Sequence, residues 1–315
     1  MDIKIIQAME PISTRKIIED ENYIHQIKWD GIRILSYVQE GKIHLLTKRG
    51  QIRNVQYVEL RQLSRIKGLK YTVFDGEVIA MNQGKPSFQK ILIRDRTMNE
   101  HKIKNLIKTI PVYYVIFDIP FYCNLDLRKE PLHKRQRLLN DLITPSDRIF
   151  LAENYDDPKD LYALVKENNY EGIVSKNIHG GYIGGKLHKS WFKYKLARRM
   201  LCVLCGIRLT DEGRAKSLHI GIHIEGELTY VGTIYSGLKQ QDLKLLDQYK
   251  DKLSTEHAPF KQGIIDVKKS IWFQPLITCW ISFMEWTDQG VVRHGKILGF
   301  SEKRCEEADG TEFVE

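Results

Sequence analysis

Long apolar runs are missing from this sequence, and nothing in it approaches the ~20 residues needed to cross a bilayer. No membrane partner is expected. The first thirteen residues, MDIKIIQAMEPIS, carry neither a basic n-region nor a long apolar core, so no secretory signal is read and a cytoplasmic location is expected. Cysteine is scarce: five in 315 residues, of which only Cys202 and Cys205 make a C-x-x-C. No second Cys or Cys/His pair follows at finger spacing, which argues against a zinc site. The segment LCVLCGI reads instead as a buried strand in which cysteine acts as a small hydrophobe. Internal repeats and low-complexity linkers are absent too, so a solenoid or array is excluded.

What is present fits an ordinary globular chain, 42% apolar and 28% charged, with length enough for two medium domains. The net charge of +9 favours a polyanionic partner without proving one, because solvated lysine faces give the same excess. The acidic end, EEADGTEFVE, reads as a solvated or disordered tail.

Strand and helix signals alternate over the first two thirds. Ile32–Ile34 and Ile43–Leu45 flank the turn Gln39-Glu40-Gly41-Lys42 and predict a hairpin. Val55 to Ile66 has helical spacing, Tyr71 to Ala80 and Val112 to Ile119 are β-branched or aromatic strands, and Leu132 to Leu142 is a basic helix. Pro158 opens another helix to Glu167. After about Leu196 short strands dominate, interrupted by one amphipathic helix near Lys239 to Tyr249. Five strands with a late helix match an OB-fold barrel, although a small sandwich would give a similar pattern. The segment KYKLARRML is the expected hinge.

The sharpest local signal is Lys28-Trp29-Asp30-Gly31-Ile32-Arg33, K-x-D-G-x-R. Its plain reading is a charged strand end at a glycine turn; its chemical reading is a lysine nucleophile. Such an amine, with a reference pKa of ~10.4, needs cations or a metal nearby before it can attack. Lys193 and Lys195 share one face of the strand SWFKYK and could flank a phosphate, or simply decorate a solvated edge. Glu77, in FDGEV, and Glu171, in EGIVSK, each put a carboxylate beside glycine at a strand end. Hard cations such as Mg²⁺ take such ligands together with substrate phosphates. Each acid taken singly is more often an ordinary surface residue.

The order KWDGIR, LTKRG, FDGEV, VIFDI, EGIVSK and WFKYK resembles the motif series of the covalent nucleotidyltransferases, which include ATP-dependent DNA ligases, RNA ligases and mRNA capping enzymes. It is most similar to bacterial ATP-dependent DNA ligases, above all the ligase module of end-joining proteins. The likeness runs on through KPSFQ, YIGGK, WFQP and FMEWT to Arg293-His294. It implies an α+β chain: an adenylyltransferase (ATP-grasp-like nucleotidyltransferase) domain of antiparallel sheets and helices over residues 1–198, then an OB-fold barrel over 199–315. It implies that Lys28 takes AMP from ATP and passes it to the 5′-phosphate of nicked duplex DNA, which the 3′-hydroxyl then seals, with Mg²⁺ or Mn²⁺ and as a monomer. By the same resemblance Arg33 contacts the ribose, Arg49 the ribose or nick phosphate, and Glu77 the ribose or a metal. Phe117 stacks on adenine, Glu171 organises the metal, and Lys193 and Lys195 grip the α-phosphate. Asp30 joins the catalytic set, and Ile27 and Val174 the nucleotide-binding set.

Two departures stand out. Where the family often has glutamate to accept from the adenine amine, this chain has Gln26, which still offers a carbonyl. The last motif, R-x-D-K in such ligases, reads Ser301-Glu302-Lys303-Arg304, so its first arginine is missing and Arg293, Lys303 and Arg304 are the nearby cations. An RNA ligase or capping-type guanylyltransferase is the alternative enzyme, against which Trp-x-x-Pro and Glu-Trp-Thr weigh. A non-catalytic nucleic-acid-binding protein is the alternative outside enzymes, and the retained nucleophile and metal-type residues argue against it.

Overall fold

The computed structural model describes residues 5–82, 84–260, 269–287 and 289–314. The chain divides into two compact units, Met1–Lys195 and Leu196–Glu315.

The first unit opens with β1 (Glu10–Ser13), β2 (Tyr23–Lys28) and the expected hairpin, β3 (Ile32–Gln39) and β4 (Lys42–Thr47). Glu40 and Gly41, at φ 50° and 76°, form its two-residue loop, the backbone hand that matches strand twist. β5 (Thr72–Asn82) follows, then β6 (Lys85–Pro86), α1 (Phe88–Arg96) and α2 (Glu100–Thr109). Ser87 and Asn99 cap these helices through their side-chain oxygens. Next come β7 (Val112–Tyr122), β8 (Leu125–Asp126), α3 (Leu132–Leu142), β9 (Ile149–Leu151) and α4 (Pro158–Glu167), both helices falling where the sequence places them. β10 (Gly172–Asn177) and β11 (Leu187–Lys195) complete the unit.

These strands form two main sheets. One runs β1-β11-β10-β2; the other runs β4-β3-β5-β7-β8, with β6 on β5 and β9 on β7. Pairing is antiparallel except for β1 with β11 and β7 with β9. A cluster of Met9, Leu35, Tyr37, Val73, Tyr182 and Trp191 takes side chains from both sheets and joins them. The segment Val55–Ile66 is a 3-10 helix, Val58–Arg65, rather than an α-helix; its buried Leu60 and Leu63 are three apart, the 3-10 repeat.

The second unit comprises β12 (Arg198–Leu209), β13 (Ala215–Ile224), β14 (Glu227–Ile234), α5 (Gln240–Leu253) and β15 (Ser254–Thr255). It continues with β16 (Ser270–Phe283), β17 (Glu285–Trp286), β18 (Val292–Arg293), β19 (Lys296–Ser301) and β20 (Glu312–Val314). The sheet order is β14-β13-β12-β16-β15, with β19 on β16 and β20 on β12. Cys202, Cys205 and Cys279 are fully buried free thiols, and burial pushes Cys279 up to about 12, as small hydrophobes require. The expected hinge segment spans Leu196 and Ala197, between β11 and β12.

The acidic tail departs from expectation. Glu312 pairs with the Arg198 guanidinium at 2.5 Å and accepts from Trp286 Nε1 at 2.7 Å, so β20 is a paired strand. Specific partners far along the chain outweigh the solvation of its charges.

Candidate active site

Three neighbouring strands bring the key charges to one rung. Lys28, the last residue of β2, faces Gly172 on β10, and Gly172 faces Lys195 on β11. The carboxylate of Glu171, next to Gly172, therefore lies between two ammonium groups: it pairs with Lys28 Nζ and, at 3.0 Å, with Lys195 Nζ. Glu171 is 3% exposed, so these charges compensate one another out of water. Glycine at 172 is a steric demand, because a Cβ there would strike the Tyr194 carbonyl oxygen. Lys193 sits two residues before Lys195, facing Val174 on one side and Ser13 on the other.

Glu77, on β5, faces Arg33 across β3. Desolvation pushes its carboxyl up to about 8, with Glu171 and Asp30 adding to the rise and Lys28 and Arg33 opposing it. Burial, rather than neighbouring charge, is the main cause of that rise, since Lys28 and Arg33 act more strongly on Glu77 than Glu171 and Asp30 do. Among the described residues no three His, Cys, Asp or Glu side chains converge on one point. A closed protein cage is therefore not built here. Glu77 and Glu171 are the carboxylates of this site, and oxygen ligands of that kind suit a hard cation.

Arg33 is committed more deeply than the motif alone indicates. Its Nε and Nη2 donate to Asp75 at 2.9 and 2.6 Å, and its Nη1 donates to the Met9 carbonyl at 2.6 Å. Tyr182 Oη donates to the same buried Asp75 at 2.6 Å. The Arg33 guanidinium also lies 5.3 Å from the centre of the Phe117 ring, on β7. Below this layer Arg135, from α3, grips Asp118 with two hydrogen bonds of 2.7 and 2.8 Å, both residues fully buried. Burial alone would raise the Asp118 carboxyl, but Arg135, with help from Lys176 and the Ile119 N–H, outweighs it and holds it below the usual carboxylate range.

Gln26 and Ile27 precede Lys28 on β2. Gln26 is buried and donates its amide N–H to Asn154 Oδ1 at 2.7 Å; Asn154 in turn donates to Gln136 Oε1 at 3.0 Å. Spending its nitrogen on Asn154 turns the Gln26 carbonyl toward acceptor duty. Motif reading missed Asn154 and Gln136, since no local pattern marks partners 128 and 18 residues away in sequence. Arg49 lies apart from this rung, in an exposed turn closed by Gly50 N–H to the Thr47 carbonyl at 2.8 Å. In the second unit Lys303 pairs with Glu307 at 2.9 Å, Arg304 begins a short 3-10 turn, and Arg293 lies 3.9 Å from Glu285.

Comparison with known proteins gives the family and the fold. The ATP dependent DNA ligase domain model matches residues 5–195, and the ATP dependent DNA ligase C terminal region model matches 211–304. The multifunctional non-homologous end joining protein LigD of Pseudomonas aeruginosa is 25% identical over 296 residues, covering 90% of this chain and 34% of that protein. A DNA ligase of Archaeoglobus fulgidus is 28% identical over 316 residues, covering 92% of this chain and 52% of that one. This chain thus spans about a third of the length of the LigD relatives. The crystal structure of the M. tuberculosis LigD ligase domain superposes with a TM-score of 0.52 at 22% identity, covering 96% of this chain and 97% of that one. A mycobacterial DNA ligase D complexed with ATP and MES gives 0.54 at 23% identity, covering 96% of this chain and 97% of that one. These likenesses bear out the α+β architecture of a ligase nucleotidyltransferase domain followed by an OB-fold domain. With the first family model alone covering residues 5–195, the chain belongs to the ATP-dependent DNA ligase family.

Proposed function

We propose that this chain is an ATP-dependent DNA ligase that seals nicks in duplex DNA through a lysyl-AMP at Lys28. The observation that carries the reading is the rung of Lys28, Glu171 and Lys195, which sets a nucleophilic amine beside a cation suited to phosphate. Once it has given up a proton, Lys28 Nζ attacks the α-phosphorus of ATP; the N–P bond forms as the bond to pyrophosphate breaks. Lys195 and Lys193 balance charge on the α-phosphate oxygens, where most phosphoryl-transfer catalysis resides. A 5′-phosphate oxygen of the nicked strand then takes the AMP, and the lysine nitrogen leaves as it regains a proton. Finally the 3′-hydroxyl attacks the 5′-phosphate and AMP departs.

Phe117 and Val174 flank the base, the Gln26 carbonyl accepts from the adenine amine, and Arg33 and Arg49 serve the sugar or the nick phosphate. Asp30 and Ile27 complete the sequence around the nucleophile. Glu77 and Glu171 would hold Mg²⁺ or Mn²⁺, which neutralises phosphate charge when bound. Residues 1–198 carry the chemistry and also the basic excess, 34 Lys and Arg against 23 Asp and Glu, which draws the DNA backbone, while the OB-fold unit, 199–315, clamps the duplex. The enzyme works as a cytoplasmic monomer in this reading. The test is sealing of a nicked duplex with ATP, run with DNA and RNA strands side by side. Sealing of DNA is expected; sealing of RNA alone would move the chain to the RNA ligases.

A further inference from the structure

Lys176 is a buried cation that the reaction outlined above leaves unused. It is 2% exposed, in β10, two residues beyond Val174 and so on the same face of the strand. Its Nζ lies 4.2 Å from the centre of the Phe117 ring and 4.3 Å from that of Trp191, which meet edge to face at 6.0 Å. The ammonium also donates to the Phe117 carbonyl oxygen at 3.4 Å. The carboxylates around it are engaged elsewhere: Asp75 on β5 by Arg33 and Tyr182, and Asp118 on β7 by Arg135.

Two π faces and one carbonyl are thus what hold this charge. A methionine would fill the same space without the cost of burying an ammonium, so the space alone does not explain a lysine here. What the charge adds is orientation: it ties together the backbone of Phe117, the ring of Phe117 and the ring of Trp191. Burial pulls Lys176 down to about 7; Asp118 and Asp75 oppose that fall, and Arg33 on β3 and Arg135 on α3 deepen it.

We propose that Lys176 is a positioning residue for Phe117, fixing that ring at the angle from which it stacks on the base of ATP. The proposal rests on the reading of Phe117 as the stacking residue. It needs no bond between Lys176 and the nucleotide.

The test uses the full chain and measures self-adenylylation rate against ATP concentration for Lys176→Met, Lys176→Arg, Phe117→Leu and the double variant Lys176→Met/Phe117→Leu. Lys176→Met is expected to raise KM for ATP by roughly three- to ten-fold with little change in kcat, the scale of a desolvated cation–π contact. Lys176→Arg should recover most of that loss. Between about pH 6 and about pH 9 Glu77 titrates in both proteins, so the comparison is the difference between them: the wild-type KM should rise more steeply than that of the Arg variant, because Lys176 discharges and arginine does not. In the double variant Lys176→Met should add nothing to Phe117→Leu.

An unchanged KM in Phe117→Leu would overturn the stacking reading itself. A raised KM in Phe117→Leu, with Lys176→Met either silent or fully additive, would overturn the role of Lys176 alone. If Lys176→Met does not fold, the Arg variant decides: a pH dependence equal to wild type contradicts the proposal.

Discussion

Lys28 and Glu171 meet because of strand register: Lys28 faces Gly172 across β2 and β10, so the neighbouring carboxylate receives its ammonium. Glu171 is also the partner of Lys195, which makes it the common counter-charge of Lys28 and Lys195. Glu171→Gln keeps the shape and removes the charge. Self-adenylylation should fall on the order of a hundredfold or more, the scale of losing one preorganised electrostatic group, and the melting temperature should fall as well, because Lys28 and Lys195 lose their buried counter-charge. A variant of near-normal rate would remove Glu171 from the site.

Asn154 orients Gln26. Without Asn154 Oδ1 the Gln26 amide is free to turn either end toward the base, its carbonyl to accept from a purine amine or its N–H to donate to a purine carbonyl. Asn154→Ala should therefore narrow the preference for ATP over GTP, read as the ratio of adenylyl to guanylyl transfer onto the protein. An unaltered ratio would show that Gln26 does not read the base.

Arg135 and Asp118 form a fully buried ion pair beneath the site. Arg135→Met strands a buried carboxylate and should cost about 3–5 kcal/mol by urea unfolding at neutral pH. The Asp118 pKa is depressed in the folded state. Its contribution is therefore complete above the unfolded value of ~3.9 and fades as pH falls through the lower folded value. The wild type should lose this contribution only in that acid range, whereas the gap to Arg135→Met should begin to shrink at higher pH, because burial raises the Asp118 carboxyl once Arg135 is gone. A gap that stays constant from neutrality down to the acid range would contradict the assignment.

Three cations stand near the missing arginine of the last motif. Lys303 is tied to Glu307, whereas Arg293 lies a looser 3.9 Å from Glu285. A residue that orients pyrophosphate matters only in the first step, since pyrophosphate is gone afterwards. Alanine at Arg293, Lys303 and Arg304 in turn should slow adenylylation by ATP for one of them while sparing sealing by protein already carrying AMP. If all three leave adenylylation intact, this segment does not orient pyrophosphate.

Much of this was legible in the sequence, and the exceptions share a cause. Lys28, Glu171 and Lys195 lie at strand ends, whereas Glu77 lies in mid-β5 rather than at the strand end its glycine neighbour suggests; the local motifs still locate all four. α3 and α4 have clear helical periodicity and a proline start, so their bounds were legible too. Phe88 to Thr109 gave no such reading, in part because α1 buries Arg94 and Asp95, whose partners Glu59 and Arg53 lie far back in the chain. The tail misled for the same reason: Glu312 is acidic in composition but finds Arg198 and Trp286 in space. The commitment of Arg33 to Asp75 and of Gln26 to Asn154 is likewise a matter of long-range pairing, which a linear motif cannot display.

The central claim is that Lys28 carries AMP, and peptide mapping after incubation with labelled ATP addresses it most directly. The account predicts one acid-labile adenylyl group on the peptide containing Lys28, absent from Lys28→Ala although that variant melts like the wild type. A label of normal yield in Lys28→Ala, or one mapped to another lysine such as Lys193 or Lys195, would contradict it.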